Sequence, residues 1–217
     1  WEDEKSQIIY DLNGGSGNFA NSKQSIGKTY KIPAGTATKA GYTLTGFENS
    51  YDGKIYKIGD IIDVQEEDTT LTAQWETARY DVIYDSLGGN KTPDNETVGY
   101  NQTIYVSDII PTKEGYNFKG WKSSQDNKTY TSGNSFVVTK DMSLTAIWEI
   151  KQYTVSYNLN GGTGTIAPAT IKHGEKLTVS SVIPTREGYT FKGWQSSIDS
   201  KTYVSGNQLV ITKDMSL

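Results

Sequence analysis

Chemistry at a protein site needs a positioned acid, base, nucleophile or set of metal ligands, and few residues of this chain offer one. There is one histidine, His173, and there are no cysteines. A lone histidine in a turn, with no acid or nucleophile spaced around it, makes no recognisable catalytic arrangement. Three aspartates recur, Asp52, Asp126 and Asp199, each followed by Gly, Asn or Ser. Aspartate in that setting favours a hairpin turn, where its carboxylate bonds nearby backbone N–H groups. Glu66-Glu67-Asp68 is a short acidic run. Calcium wants several oxygen ligands in a defined loop, and no EF-hand spacing surrounds this run, so it reads as solvated loop. The Gly-Gly pairs lack the Lys-Ser/Thr that completes a phosphate loop. Asn95, Asn101 and Asn127 each open an Asn-x-Thr triplet. In a chain rich in Asn and Thr these read as chance. No cofactor and no metal is expected, and the chain is not expected to be an enzyme.

The aromatic residues are the stronger candidates for recognition. Fifteen Tyr and five Trp are present. Trp121, Trp194 and Phe47 could serve as platforms for sugar rings or a partner protein, but burial as core anchors is the favoured reading. Burial is favoured still more for Trp75 and Trp148. Tyr56, Tyr130 and Tyr203 follow the recurrent aspartates by four residues. For these three, a surface role and a packing role both stand, and they form the candidate ligand surface.

The elements that position these residues come in repeats. Gly-Tyr-x-(Leu/Phe)-x-Gly-(Phe/Trp) occurs at Gly41–Phe47, Gly115–Trp121 and Gly188–Trp194, spaced by 74 and 73 residues. The pairs Gly14-Gly15, Gly88-Gly89 and Gly161-Gly162 keep the same spacings. Leu71-Thr-Ala-Gln-Trp75 matches Leu144-Thr-Ala-Ile-Trp148. Trp75, Trp148 and Trp1 each precede the next Gly-Gly pair by 13 residues, so Trp1 is expected to be the last aromatic of a preceding copy. Leu217 matches Leu144, and the third copy is expected to continue with residues of the type Thr-Ala-x-Trp. The expected division is 1–4 (end of a preceding repeat), 5–76, 77–149 and 150–217, the last short of its closing strand.

Within a repeat, Tyr153, Val155, Tyr157 and Leu159 alternate with polar residues, which predicts a strand with one buried face. A second strand is expected near Ala169–Lys172, with a tight turn at Gly174, Asn101 and Gly27. Ser180 and Ser107 are placed to cap a single helical turn that carries Val182-Ile183 or Ile109-Ile110, stopped by Pro184 and Pro111. The next strand is Tyr189–Trp194, then a hairpin turn at Asp199-Ser200, and further strands follow. Each repeat is thus a small module of about five strands, with one helical turn expected in the second and third but not in the first, which has Pro33-Ala34-Gly35 and no apolar pair there. Only about four residues join one module to the next, which predicts a semi-rigid string. At about 70 residues, such a module lies near the lower limit for an unaided core, so contact with neighbours adds stability.

Composition excludes other classes. Net charge is −4 with no basic block, so nucleic acid is not an expected partner. No apolar run approaches about 18 residues, so no membrane insertion is expected.

Three ordered blocks now stand out: Tyr-x-Val-x-Tyr-x-Leu-x-Gly-Gly, then Pro-Thr-Arg-Glu-Gly-Tyr-Thr-Phe-Lys-Gly-Trp, then Leu-Thr-Ala-x-Trp. Together they resemble the Listeria–Bacteroides repeat, the type found as the B repeats of internalin B. The resemblance spans the whole chain. It implies a β-rich α+β architecture of tandem β-grasp-like modules in an elongated array. It also implies a secreted or wall-attached bacterial surface protein, and work as a spacer and auxiliary adhesive module. The expected partner is a host surface protein or glycan, with weak self-association through strand edges as a further expectation; a purely structural stalk is the alternative. The family carries no catalytic residues to transfer. Repeat one departs from the pattern, with Phe47 in place of Trp.

Overall fold

A computed structural model describes residues 2–217. Trp1, and with it the expectation placed on it, lies outside the described residues.

Period-two alternation produces the expected opening strands. They run Lys5–Asp11, Arg79–Asp85 and Gln152–Ser156. In each, the inward positions are buried, with Ile8, Val82 and Val155 fully closed to solvent. The first repeat forms a five-stranded sheet in the spatial order Ser22–Ser25, Lys5–Asp11, Thr69–Thr77, Tyr42–Asn49, Ile55–Tyr56. Its two central strands, the opening one and the closing one, are parallel, and Tyr10 faces Leu71. The other pairings are antiparallel. The second repeat has the same order: Glu96–Gly99, Arg79–Asp85, Met142–Ile150, Tyr116–Ser123, Thr129–Tyr130.

A parallel pair needs a long crossover, and in most proteins a helix supplies it. Here a short two-stranded ribbon occupies the crossover instead. It pairs Thr29–Lys31 with Ile61–Asp63, Thr103–Tyr105 with Ser135–Val137, and Lys176–Thr178 with Gln208–Val210. Ile32 and Ile62 from this region join Ile8, Phe47, Leu71 and Ala73 in the first core. Leu177 and Ile211 join Val155, Val179, Trp194, Met215 and Leu217 in the third.

The expected helical turn does not form, and no helix occurs among the described residues, so the architecture is all-β rather than α+β. The local hydrogen bonding gives the reason. Ser107 and Ser180 do accept a backbone N–H, at 3.2 Å from Ile109 and 3.1 Å from Val182, but the bond closes a two-residue serine turn rather than a helix start. The apolar pair that was to anchor the turn finds no core: Ile110 is 58% and Ile183 66% exposed.

The chain divides into two compact units, and the division passes through the second repeat. One runs to Ile83 and adds Asn95–Tyr105 and Ser135–Met142. The other comprises Tyr84–Asp94, Val106–Asn134 and Ser143–Leu217.

Candidate functional site

The recurrent Asp and Tyr residues meet in a hairpin that is built the same way three times. Positive φ at Gly53, Asn127 and Ser200 turns the chain. Asp52, Asp126 and Asp199 each accept the backbone N–H of the residue two further on, at 3.0, 3.1 and 3.2 Å. The other carboxylate oxygen accepts the tyrosine hydroxyl four residues on: Tyr56 to Asp52 at 2.7 Å, Tyr130 to Asp126 at 2.7 Å, Tyr203 to Asp199 at 2.8 Å. Cross-strand pairing sets those tyrosines opposite Phe47, Trp121 and Trp194.

The electrostatics follow from these bonds. The Asp52 carboxyl is held below the ordinary carboxylate range first by the Lys54 backbone N–H and then by the Tyr56 hydroxyl. At Asp126 and Asp199 the tyrosine hydroxyl is the main cause of the same downward shift. Each partner tyrosine is pushed above its ordinary value by the hydrogen bond it donates to the carboxylate. A phenol kept protonated against a carboxylate kept ionised is a turn lock, not an acid–base pair poised near neutrality.

The aromatics opposite are core. Phe47, Trp121 and Trp194 are 0%, 1% and 2% exposed. Tyr84 and Phe118 meet Trp121 edge-on with centroids 5.0 and 5.2 Å away, and Tyr157 and Phe191 do the same for Trp194 at 4.8 and 5.0 Å. Tyr56, Tyr130 and Tyr203 are half-buried. The structure therefore brings each candidate tyrosine together with its own aspartate and core aromatic, and keeps part of its ring at the surface.

A second repeated arrangement joins one repeat to the next. A single residue separates the closing strand Thr69–Thr77 from Arg79–Asp85, and likewise Met142–Ile150 from Gln152–Ser156. That residue is Ala78 or Lys151. Ala78 donates its N–H to Gly41 at 2.9 Å and its carbonyl accepts from Tyr100 at 2.8 Å. Lys151 donates to Gly115 at 2.8 Å and accepts from His173 at 2.9 Å. Both backbone groups of the connector are thus satisfied, one by each flanking repeat. The Tyr100 ring lies on Gly41, and the His173 ring lies on Gly115, so closely that a Cβ at either glycine would collide with it. Those glycines also hold φ of +78° and +75°, which β-carbon-bearing residues rarely adopt.

His173 therefore has a place that its sequence neighbourhood does not reveal. It is half-buried, it lies 5.9 Å from the Tyr153 ring, and its Nδ1 is buried without a hydrogen-bond partner among the described residues. Tyr100 holds the same position with Tyr80 at 6.3 Å. Tyrosine and histidine share flatness but not chemistry, so the recurrence is visible only in space.

Two further sets escaped the sequence reading. Asp68, Asp141 and Asp214 accept the backbone N–H of Gln7, Asp81 and Thr154 on the opening strands, at 2.8, 2.9 and 2.7 Å. Their spacing of 73 residues was the available signal. Lys39, Lys113 and Arg186 each bond a carbonyl of the Gly-Gly loop, at 2.9, 2.9 and 3.0 Å, and each covers the tyrosine three residues on. Asp68 thus gives the acidic run a strand-tethering role. Among the described residues, no group of three or more His, Asp or Glu is placed to hold a metal ion.

Repeated hairpin locks on repeated cores, joined by one-residue connectors, define a tandem-repeat module. The sequence profile of the Listeria-Bacteroides repeat domain matches residues 7–74, 80–147 and 153–217, and the chain belongs to that family. It is 36% identical over 161 residues to a protein of Evansella cellulosilytica named as a Gly-rich membrane protein, covering 73% of this chain and 18% of that protein. A second Evansella cellulosilytica protein, named as a membrane protein, is 29% identical over 195 residues, 89% of this chain and 28% of that one. Internalin H of Listeria monocytogenes is 32% identical over 132 residues, 58% of this chain and 21% of internalin H. The chain spans less than a third of the length of these relatives.

Proposed function

We propose that this chain is a non-catalytic spacer segment of a bacterial cell-envelope protein, built from β-grasp-like modules. The junction carries the reading. A linker meant to let neighbours tumble leaves its backbone solvated and uses several Gly or Ser residues. Here one residue joins two strands, both its backbone groups are bonded, and a ring sits on a glycine beside it. The β-grasp-like assignment rests on the central parallel pair of opening and closing strands with antiparallel neighbours. Placement at the cell surface is supported by relatives named as membrane proteins and as an internalin.

A second reading makes the chain an auxiliary adhesive array for a host surface protein or glycan. One observation favours it: Tyr56, Tyr130 and Tyr203 present part of a ring at equivalent places, as avidity along an array requires. Their hydroxyls, however, are already engaged by the hairpin aspartates. Titration of labelled chain onto host epithelial cells at physiological salt separates the two. The spacer reading expects no binding above that of a control β-protein. Saturable binding abolished by changing all three tyrosines to serine contradicts the spacer reading and establishes the adhesive one.

A further inference from the structure

The three repeats serve as controls for one another, and the first departs from its siblings along one exposed segment. Ile55, Ile58 and Ile61 are 56%, 42% and 59% exposed. At the repeat spacing, the second repeat has Thr129, Ser132 and Ser135 in these positions, and the third has Thr202, Ser205 and Gln208. The module therefore folds with polar residues at all three places. Single exposed aliphatic residues are ordinary on a protein surface. Three within seven residues, present in one repeat and absent from both others, form an apolar stripe that folding does not account for.

A groove adjoins the stripe. It encloses about 470 Å³ and is lined by Leu44, Thr45, Gly46, Lys57, Ile58 and Glu76. The Ile55 side chain lies on Gly46, its Cγ2 2.7 Å from where a Cβ would stand, so Ile55 and Ile58 flank the same glycine. The second repeat shows how the position closes. There Lys119 reaches Glu149 at 2.7 Å across the paired strands. In the first repeat Thr45 stands where Lys119 does, and Glu76 where Glu149 does. The Thr45 hydroxyl is turned to the Gln74 carbonyl at 3.0 Å. Among the described residues, neither Glu76 nor Lys57 has an ion-pair partner. The groove thus presents one uncommitted anion and one uncommitted cation beside aliphatic side chains.

We propose that this face of the first repeat pairs with the same face on a second copy of the chain. A two-fold interface is self-complementary, because each copy meets in its partner the patch it presents itself. A surface suited to that carries apolar groups that bury one another and charges of both signs in equal number. This one does: face to face, Lys57 of one copy meets Glu76 of the other, twice over. No aromatic ring lines the groove to stack on a sugar, and its charges cancel, so neither a glycan nor a strongly charged partner is favoured. The contact uses side chains rather than strand edges, and it holds whether or not the chain is a spacer. Three aliphatic residues a side make an interface smaller than the about 1,200 Å² of stable complexes. The dissociation constant is accordingly expected between about 1 μM and about 1 mM.

Sedimentation velocity of the whole chain, up to about 1 mM, tests this. A monomer–dimer equilibrium is expected. The triple variant Ile55→Thr, Ile58→Ser, Ile61→Ser carries the second repeat's own residues at exposed positions, so it should keep the fold while pairing weakens at least about tenfold. Lys57→Glu alone and Glu76→Lys alone each set like charges together twice, and each should weaken pairing about tenfold or more. An equimolar mixture of those two variants restores both opposite-charge contacts and should pair as strongly as the unaltered chain, a rescue that misfolding of either variant would not give. A chain that stays monomeric at about 1 mM, a dimer that survives the triple variant, or a mixture that pairs no better than its components would each overturn the proposal.

Discussion

Residues 116–123 read Tyr-Asn-Phe-Lys-Gly-Trp-Lys-Ser, and residues 189–196 read Tyr-Thr-Phe-Lys-Gly-Trp-Gln-Ser. The first is an eight-residue strand; the second is strand only at Trp194–Gln195. Six of the eight residues are identical, so local propensity is not the cause. The difference is the neighbour. Tyr116–Ser123 pairs along its length with Met142–Ile150, whereas Trp194–Gln195 has Thr202–Tyr203 as its one ladder partner among the described residues. Tyr189 is accordingly 68% exposed, while Tyr116 is half-buried. Strand formation here is a property of the pair, as expected of a scale that measures packing against cross-strand neighbours.

The comparison can be broken most severely at its core. Trp121→Ala removes a ring that is 1% exposed and should cost about 3–5 kcal/mol, enough to unfold a module of this size. Trp194→Ala should cost less, because the two-residue strand that carries it is held by Thr202–Tyr203 alone among the described residues; chemical denaturation of both variants measures the gap. The same contrast sharpens by hydrogen exchange. The amides of residues 116–122 should exchange at least about tenfold more slowly than those of residues 189–193.

Next in size is the junction. Gly115→Val places a branched side chain at φ +75° and against the His173 ring, and about 1–3 kcal/mol of local stability should be lost. The identical change at Gly188 meets no neighbour within 4 Å, so only the backbone cost remains.

The smallest effect lies in the hairpin locks. Lowered carboxyls contribute stability that is full above the ordinary carboxylate value of about 3.9 and is lost as pH falls through the folded-state value. Raised phenols contribute stability that is full below about 10 and is lost as pH rises through theirs. Asp126→Asn should therefore flatten the acid side of the melting-temperature profile slightly, and Tyr130→Phe the alkaline side. Screening by solvent keeps both changes small.

Much of this was legible in the sequence, for identifiable reasons. Alternation at Tyr80, Val82 and Tyr84 reports a half-buried strand directly, and Asp52-Gly53 names its own turn. The tight turns at Gly27, Asn101 and Gly174 hold the positive φ expected of them. The helical turn failed because a serine near a proline signals a local hydrogen bond without saying which of two turns it closes. That choice fell to packing, and the Ile109-Ile110 pair is exposed. Alternation predicts a connector of about four residues because it stops before the ladder does. The ring on glycine was not legible at all. It joins residues about sixty apart, and it recurs through Tyr100 and His173, which share flatness but not side-chain chemistry.

A spacer role requires that the one-residue connector fix each repeat to the next. Spin labels placed on either side of Ala78, at Lys23 and Thr97 after substitution by cysteine, report it directly through their distance distribution. A single narrow distribution, broadened by Gly41→Val, is the result expected of a spacer. A broad distribution in the unaltered chain, unchanged by that substitution, would contradict it.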